Sequence, residues 1–377
     1  MGISDFVFYP DYYGLIKAFV TEMPDYYRNE PVHPDGFMGE VRTYCEAKWS
    51  DLALVVILAI TWTLLRYILT LLVFKPAARL CKLTSGNLNK MPESAWRLFF
   101  YLTSWSFVAY VVFNSEFDIF KDPPSVFKGW HPAMEVPSLV YWAYAIQCSF
   151  YLHCFFATIF LDVWRSDSIM LVLHHVLTLS LISFSYASRY HNLGILVIFC
   201  HDFCDICLEF SKINIYFKVR KDGSFHRVHE ILANIGFVFF SSSWFILRMY
   251  WFPLKVLYSI LPSTAKVYYK DHLPFGVEFN AMLWLLLGMD IYWFSFILLF
   301  LVRIVTGSMK ELEDIREEED EEVVQLRKKK DFDHLTKEDE GSSEQVSNGV
   351  VDGAVKNGDS LKQRRPHSDK ENGKDGH

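Results

Sequence analysis

The chain has 377 residues, of which 51% are hydrophobic, 17% aromatic and 21% charged, and its formal net charge is −7. The apolar residues come in long runs and the charged residues concentrate in the connections and near the C-terminus, which excludes a disordered chain, a collagen and a disulfide-stapled secreted module. The negative charge also argues against a nucleic-acid partner.

Seven apolar runs are long enough to cross a bilayer, whose hydrocarbon core needs about 20 residues of α-helix. The predicted spans are, in chain order, Leu52–Phe74, Trp96–Phe113, Pro137–Leu161, Ser168–Ala187, His191–Leu208, Ile231–Ile260 and Phe279–Val302. The fourth and fifth are the least apolar, and Pro253 is a predicted kink point in the sixth. The sequence therefore predicts an all-α polytopic membrane protein with about seven transmembrane helices.

The distribution of Lys and Arg predicts how the spans are oriented. The connections after the first and fifth spans are rich in basic residues, whereas residues 1–50 are predominantly acidic. We therefore expect a lumenal N-terminal segment over residues 1–50, a first transmembrane helix over residues 51–75 and a cytosolic C-terminus. Residues 307–377 are polar and include the acidic run Glu311–Glu322, so we expect a disordered cytosolic tail that carries the net negative charge of the chain.

Ionisable residues inside the fourth span are candidates for function, because such residues are expensive at membrane depth. His174 and His175 lie roughly 10 Å from the predicted cytosolic end of the span, at a rise of about 1.5 Å per residue. Thr178 falls between the two histidines on a helical wheel. We therefore expect the three side chains to share one face.

The fifth span carries a second polar group of residues near its predicted cytosolic end. His201, Asp202, Asp205 and Glu209 fall within one arc of about 100° on a helical wheel. Because consecutive spans run in opposite directions, this arc and the histidines of the fourth span lie at similar depth. We expect the two imidazoles to face the two aspartates, an arrangement that suits general-base or nucleophilic acyl transfer.

These polar residues also have interpretations other than acyl transfer. His201 alone is equally well explained by a hydrogen bond to a neighbouring helix, and Glu209 by a solvated helix end. A diiron oxygenase needs several H-x-x-H-H boxes, and this chain has one adjacent histidine pair. A serine hydrolase needs a G-x-S-x-G elbow, which the sequence lacks.

The polar residues belong to a longer stretch that resembles the Lag1 motif of ceramide synthases. It reads His174-His175-Val-Leu-Thr178, then Ser185-Tyr-Ala-Ser-Arg189-Tyr-His-Asn192-Leu-Gly194, then His201-Asp202-Phe-Cys-Asp205-Ile-Cys-Leu-Glu209-Phe-Ser-Lys212. The motif is long and specific, and the resemblance implies a TRAM-Lag-CLN8 (TLC) catalytic domain over residues 90–306.

The resemblance implies a sphingosine N-acyltransferase of sphingolipid biosynthesis in the endoplasmic reticulum membrane. Such an enzyme transfers a fatty acyl group from acyl-CoA to the amine of sphinganine or sphingosine, giving (dihydro)ceramide and CoA. The connection between Lys75 and Arg97 is too short for a homeobox-like domain, which resembles the subtype that favours stearoyl-CoA, so we expect a C18 acyl group. Acyl-CoA is a co-substrate, and we expect no cofactor and no metal. A homodimer or a heterodimer with another ceramide synthase is compatible with the resemblance.

The candidate catalytic residues are His174, His175, Asp202 and Asp205. Candidate substrate-binding residues are Thr178, His201, Glu209, Arg189, Asn192 and Lys212. Two routes fit: a histidine acts as general base for direct attack of the amine on acyl-CoA, or His174 first forms an acyl-imidazole. We favour the second route, with the other three residues orienting groups and moving protons.

Basic residues on the predicted cytosolic side are candidates for contacting CoA. They are Lys212, Lys218, Arg220, Lys221 and Arg227. The positive-inside rule explains the same charges without CoA. Two other functions are weighed: a non-enzymatic TLC protein that moves or senses lipid, and an acyltransferase for another amine or an alcohol.

Overall fold

A computed structural model describes residues 12–29, 34–118, 121–268 and 274–306 of the chain. The predicted tail over residues 307–377 lies outside the described residues. Within them the fold is all-α, as predicted, apart from two isolated β-bridges on the connections. The main helices are α1 (Tyr12–Asn29), α2 (Gly36–Tyr44), α3 (Trp49–Leu80), α4 (Ser85–Phe113), α5 (Ser138–Phe160), α6 (Ser168–Ala187), α7 (His191–Lys218), α8 (Arg227–Leu257) and α9 (Gly276–Val305).

Among the described residues, six helices are long and apolar enough to cross a membrane: α3, α4, α5, α6, α8 and α9. The chain is therefore a multi-pass membrane protein. The predicted fifth span is α7, a helix of 28 residues that carries ionisable side chains and is not among these six. Ile195, Asp202 and Cys204 on α7 are each 0% exposed, so neighbouring helices enclose it. Enclosure explains its polarity, because polar groups at membrane depth are stable where protein surrounds them.

Two of the apolar helices change their hydrogen-bonding pattern part-way along. Residues Thr70–Phe74 of α3 and Trp244–Leu257 of α8 form π-helical turns. Pro253 lies inside the second of these segments, which begins well before it. The predicted kink point is thus part of a longer widened helix, in which the shifted register accommodates a residue without a backbone N–H.

The N-terminal segment contains helices that the sequence analysis does not predict. Leu15 and Tyr26 of α1 are buried in the main core. Between α2 and α3, the backbone N–H of Glu46 donates to the carbonyl of Ala187 at 2.9 Å. The Glu46 carboxylate also pairs with the Arg189 guanidinium at 2.7 Å. These contacts fasten the segment to the turn between α6 and α7.

Helix α3 is held against α5 by polar contacts at three levels. Trp62 Nε1 donates to Ser149 Oγ at 3.0 Å, and Thr63 Oγ1 lies 2.9 Å from His153 Nδ1. Beyond the end of α5, Arg66 pairs with Asp162 at 2.5 Å. Most of the remaining surface of α3 is apolar and exposed, as expected of a helix that faces lipid.

Candidate active site

Two cavities meet at His174. An apolar cavity extends from His174 between α6, α7 and α9, and its lining includes Leu181, Ile182, Leu193, Phe279 and Leu283. A polar cavity lies on the other side, and its lining includes Arg97, Arg165, Asp205, Glu209, Lys212 and Arg248. His174 and Tyr151 belong to the walls of both cavities. His174 therefore touches a space suited to hydrocarbon and a space suited to charged groups.

The histidine pair is divided between these spaces. His174 Nε2 lies 3.5 Å from Thr178 Oγ1, and both residues line the apolar cavity. His175 lines only the polar cavity. The two histidines thus share the polar cavity, and His174 and Thr178 share the apolar one. Adjacent residues differ by about 100° around a helix, and this offset turns the His175 ring away from the apolar cavity.

Trp293 of α9 packs against the catalytic candidate of α6. The Trp293 and His174 rings meet edge to face, with centroids 5.4 Å apart. Trp293 Nε1 donates to Asp167 Oδ2 at 3.0 Å, just before α6 begins. This bond fixes the indole, and the indole in turn limits where the His174 ring can lie.

The four residues of the polar arc of α7 lie in three different environments. Asp205 and Glu209, in the middle of the arc, line the polar cavity. At one edge, Asp202 is fully buried against α5, where it accepts hydrogen bonds from Gln147 Nε2 and from the Tyr151 hydroxyl. At the other edge, His201 lines the apolar cavity and contacts α9. The arc predicted from the sequence is present, but its two edges point at different helices.

The direct pairing expected between imidazoles and aspartates is not formed. Nδ1 of His174 and Nδ1 of His175 are buried and have no hydrogen-bond partner among the described residues. Asp202 is bonded to Gln147 and Tyr151 instead, and Asp205 is bonded to Arg248. Asp205 lines the polar cavity together with both histidines, and Asp202 bonds to Tyr151, whose ring packs beside both imidazoles.

Arg248 of α8 and Asp290 of α9 are site residues that the sequence analysis missed. Arg248 Nη2 donates to Asp205 Oδ2 at 3.0 Å and to the backbone carbonyl of His201 at 2.7 Å. Its Nη1 lies 3.5 Å from Asp290 Oδ1, and its guanidinium stacks on Trp244 at 4.0 Å from the ring centroid. Both residues are ionisable and lie within apolar runs, so the rule that singled out the histidines could have found them.

A network of buried ion pairs borders the polar cavity, with Arg97 at its centre. Arg97 pairs with Glu93 at 3.0 Å, with Asp162 at 2.8 Å and with Glu209 at 3.7 Å. Arg165 extends the network through Glu93 at 2.8 Å. Burial alone would raise the pKa of the Asp162 carboxyl, but the nearby guanidinium groups of Arg97 and Arg66 outweigh burial and lower that pKa to about 2. The network thus joins α3, α4 and α7 to the α5–α6 connection.

Several candidates from the sequence lie away from the two cavities. Arg189 pairs with Glu46, and Asn192 donates to the carbonyl of Val126 at 3.4 Å, so both fasten the turn between α6 and α7. Of the basic residues proposed to contact CoA, Lys212 lines the polar cavity, whereas the other four do not; these are Lys218, Arg220, Lys221 and Arg227. No group of three or more metal-ligating side chains occurs in the part of the chain that the structure describes.

Comparison with known proteins identifies the chain. A family model described as the TLC domain matches residues 90–299. The chain is 48% identical to ceramide synthase 1 of Homo sapiens over 280 residues, which cover 74% of this chain and 79% of the relative. It is 46% identical to ceramide synthase 1 of Mus musculus over 267 residues, covering 71% and 75%.

The chain belongs to the TLC-domain ceramide synthases. A more distant relative is ceramide synthase LOH2 of Arabidopsis thaliana, at 29% identity over 247 residues, covering 63% of this chain and 77% of the relative. The ceramide synthase described here is an acyltransferase, and the two cavities that meet at His174 lie within its TLC domain.

Proposed function

We propose that this ceramide synthase transfers the acyl group of a fatty acyl-CoA to a sphingoid base, sphinganine or sphingosine, at His174. The observation that carries the proposal is the position of His174 in the shared wall of the polar and apolar cavities. The apolar cavity suits the hydrocarbon chain, and the polar cavity suits CoA and the amine. The thioester carbon then lies between them, beside an imidazole.

The favoured route has two steps. In the first, a C–N bond forms between a His174 imidazole nitrogen and the acyl carbon while the C–S bond breaks, and CoA leaves as the thiol. In the second, the deprotonated amine attacks the acyl-imidazole, which restores the imidazole and gives the amide. In the alternative route, His174 removes the amine proton while the amine attacks acyl-CoA directly.

The other residues of the site have supporting roles in this proposal. Asp205 and His175 line the polar cavity and are placed to accept the proton that the sphingoid ammonium must lose. Asp202 is buried against α5 and has an orienting role through its hydrogen bonds there. Lys212, Arg165 and Arg248 supply positive charge for the phosphates of CoA. The proposal includes no metal and no cofactor.

The dimensions of the apolar cavity support a long acyl chain. From the level of His174, the lining extends to Ser185 on α6, roughly 16 Å at a rise of ~1.5 Å per residue. On α9 the lining of the same cavity runs from Leu286 to Phe279, and Phe279 lies about 21 Å from the level of Trp293, whose ring meets His174. At about 1.2 Å per bond along an extended chain, these lengths hold roughly 13 to 17 bonds, a range that includes a C18 chain. We therefore propose stearoyl-CoA as the preferred donor.

The experiment that tests the proposal uses the purified full chain in lipid nanodiscs with sphinganine and acyl-CoA donors from C14 to C24. We expect ceramide formation with the highest rate near C18, and its loss in His174→Ala. His131→Ala, a change at an exposed histidine on a connection, is the matched control and keeps wild-type activity. An active His174→Ala variant would overturn the site assignment, whereas a preference for another length would overturn only the choice of donor.

The covalent route is tested separately. Wild-type protein is mixed with stearoyl-CoA in the absence of amine, quenched, and its intact mass measured. We expect an added stearoyl mass that His174→Ala lacks and that disappears when sphinganine is supplied. An unmodified wild-type protein would favour direct transfer.

We further propose an endoplasmic reticulum location, with the N-terminus lumenal and the C-terminus cytosolic. The basic connections of the sequence support this orientation. Protease treatment of sealed microsomes carrying one epitope tag at each end tests it: the C-terminal tag is removed and the N-terminal tag is protected. We also propose that the chain forms a homodimer or a heterodimer with another ceramide synthase, and co-purification of two differently tagged copies, or of this chain with another ceramide synthase, tests it.

A further inference from the structure

Tyr151 of α5 lies between the two histidines and a buried carboxylate. The centroid of its ring is 6.4 Å from that of His174 and 6.0 Å from that of His175. Its hydroxyl donates to Asp202 Oδ1 at 3.4 Å. The same side chain forms part of the wall of both cavities. Tyr151 thus contacts both imidazoles and is tethered at its far end.

Asp202 has no direct route to the reacting atoms. Its side chain is fully buried and lines neither cavity. One carboxylate oxygen accepts from Gln147 Nε2, which also donates to Ser104 Oγ at 2.8 Å, and the other accepts from Tyr151. Among the described residues, Tyr151 is the hydrogen-bond partner of Asp202 that also lines the cavities. Any influence of Asp202 on the histidines through hydrogen bonds passes through this phenol.

We propose that Tyr151 is a positioning residue for acyl transfer, anchored by Asp202 and holding the His174 and His175 rings in their productive orientation. The inference rests on the proposed role of His174. Among the described residues, neither imidazole has a hydrogen bond from Nδ1, and His174 Nε2 reaches Thr178 Oγ1 only at 3.5 Å, so ring packing is the main restraint on the two rings. A displacement of about 1 Å of a reacting group is enough to slow a reaction by roughly 100-fold.

The anchor and the ring have separate functions in this arrangement. The hydroxyl bond to Asp202 fixes where the phenol lies, and the flat ring fills the space beside both imidazoles. Tyr151→Phe removes the hydroxyl bond to Asp202 and keeps the ring. Asp202→Asn keeps the shape of the buried side chain but weakens the same anchor, because a neutral amide oxygen is a poorer acceptor than a carboxylate.

The test is a double-mutant cycle on the full chain in nanodiscs, with Tyr151→Phe, Asp202→Asn and the double variant. We expect each single change to lower kcat by about 10- to 100-fold, while KM for stearoyl-CoA changes by less than about threefold. If Asp202 acts through Tyr151, the double variant is no slower than the slower single variant, because both changes break one link. Losses that multiply in the double variant, or a wild-type kcat in Tyr151→Phe, would overturn the inference.

Tyr144→Phe is the matched control for a merely structural effect. Tyr144 lies on the same helix, is 2% exposed, and its hydroxyl bonds to Ser185 and to the carbonyl of His191. Its loss removes an equally buried hydroxyl without touching Asp202. We expect Tyr144→Phe and Tyr151→Phe to lower the unfolding temperature similarly, but only Tyr151→Phe to lower kcat. Equal effects on kcat would contradict a positioning role.

His174→Ala is assayed in the same series to keep the two proposals apart. If His174→Ala is fully active, the proposed site itself fails and the role of Tyr151 fails with it. If His174→Ala is inactive and the cycle is multiplicative, only the inference about Tyr151 fails.

Discussion

His201 on α7 and Asp290 on α9 form a buried pair, with Nε2 and Oδ2 3.0 Å apart. His201 Nδ1 lies 2.7 Å from the carbonyl of Val197, and a carbonyl only accepts, so Nδ1 carries a proton. The other ring nitrogen makes the contact with Asp290, so both nitrogens of His201 have partners. Arg248 bridges Asp290 to Asp205. His201, in the wall of the apolar cavity, is therefore linked through Asp290 and Arg248 to Asp205, in the wall of the polar cavity.

Arg248→Met is expected to be strongly destabilising. It leaves the Asp205 and Asp290 carboxylates without their shared cation, and breaking a buried ion pair costs about 3–5 kcal/mol. Arg248→Lys keeps the charge but cannot make the forked contacts, so it should be less destabilising while still lowering activity. Thermal unfolding in detergent with parallel activity assays checks both. Equal unfolding temperatures for Arg248→Met and Arg248→Lys would contradict the bridging role of Arg248.

Added bulk half-way down the apolar cavity is expected to shorten the preferred acyl chain. Leu283 is 1% exposed and lines the cavity. At about 1.5 Å of rise per residue, it lies roughly 15 Å from the level of Trp293, or about 12 bonds. Leu283→Trp should shift the best donor from C18 to C14 or shorter. Leu285→Trp, on the same helix but 55% exposed, is the control and should leave the chain-length profile unchanged.

Gly194→Ala is expected to damage the packing of α7 against α5. A Cβ at this position would lie 1.9 Å from Tyr144 Oη and 2.9 Å from Ser185 Oγ. Overpacking of this kind costs about 1–3 kcal/mol. Gly288→Ala is the matched change, because a Cβ there meets nothing within 4 Å. It should be neutral or stabilise the helix by up to about 1 kcal/mol. Similar unfolding temperatures for the two variants would argue against the close approach.

Asp162 is expected to contribute stability that is lost only in acid. Its pKa is lowered from 3.8 to about 2, so the contribution, about 2 kcal/mol, is complete above pH ~4 and disappears as the pH falls toward 2. Asp162→Asn should therefore be less stable than the wild type by a constant margin between pH 5 and 8. Below pH ~4 the margin should narrow. Unfolding temperatures measured across this pH range check it, and a margin that changes between pH 5 and 8 would contradict the prediction.

The sequence alone was enough to predict the apolar helices and to single out His174 as a candidate, but it did not predict α1 and α2. Long apolar runs and the depth of the two histidines indicated the helix pair α6 and α7, and the Lag1 motif indicated the family. Tyr151 and Trp293 could not be singled out, since a chain with 20 Tyr and 11 Trp offers many aromatic candidates. Which of them contacts His174 is decided by how α5 and α9 pack, which is not a local property.

Arg189 and Asn192 illustrate a different limit. They belong to the same motif as the histidines, and a motif records every position that a family requires without separating chemistry from architecture. In the structure both residues secure the turn between α6 and α7, away from the cavities. Arg189 also has a φ of 64°, a left-handed conformation that its contacts with Glu46 help to hold.

The region matched by the family model is smaller than the region held together by side-chain contacts in this enzyme. The TLC match begins at residue 90, after the whole of α3, yet Ser149, His153 and Asp162 inside the matched region have their partners on α3. A fragment cut at the family boundary would leave Ser149 and His153 without these partners and would remove Arg66 from Asp162. We therefore expect expression of the catalytic region as an independent module to require the first membrane helix, which supplies polar partners to the enzyme as well as anchoring it.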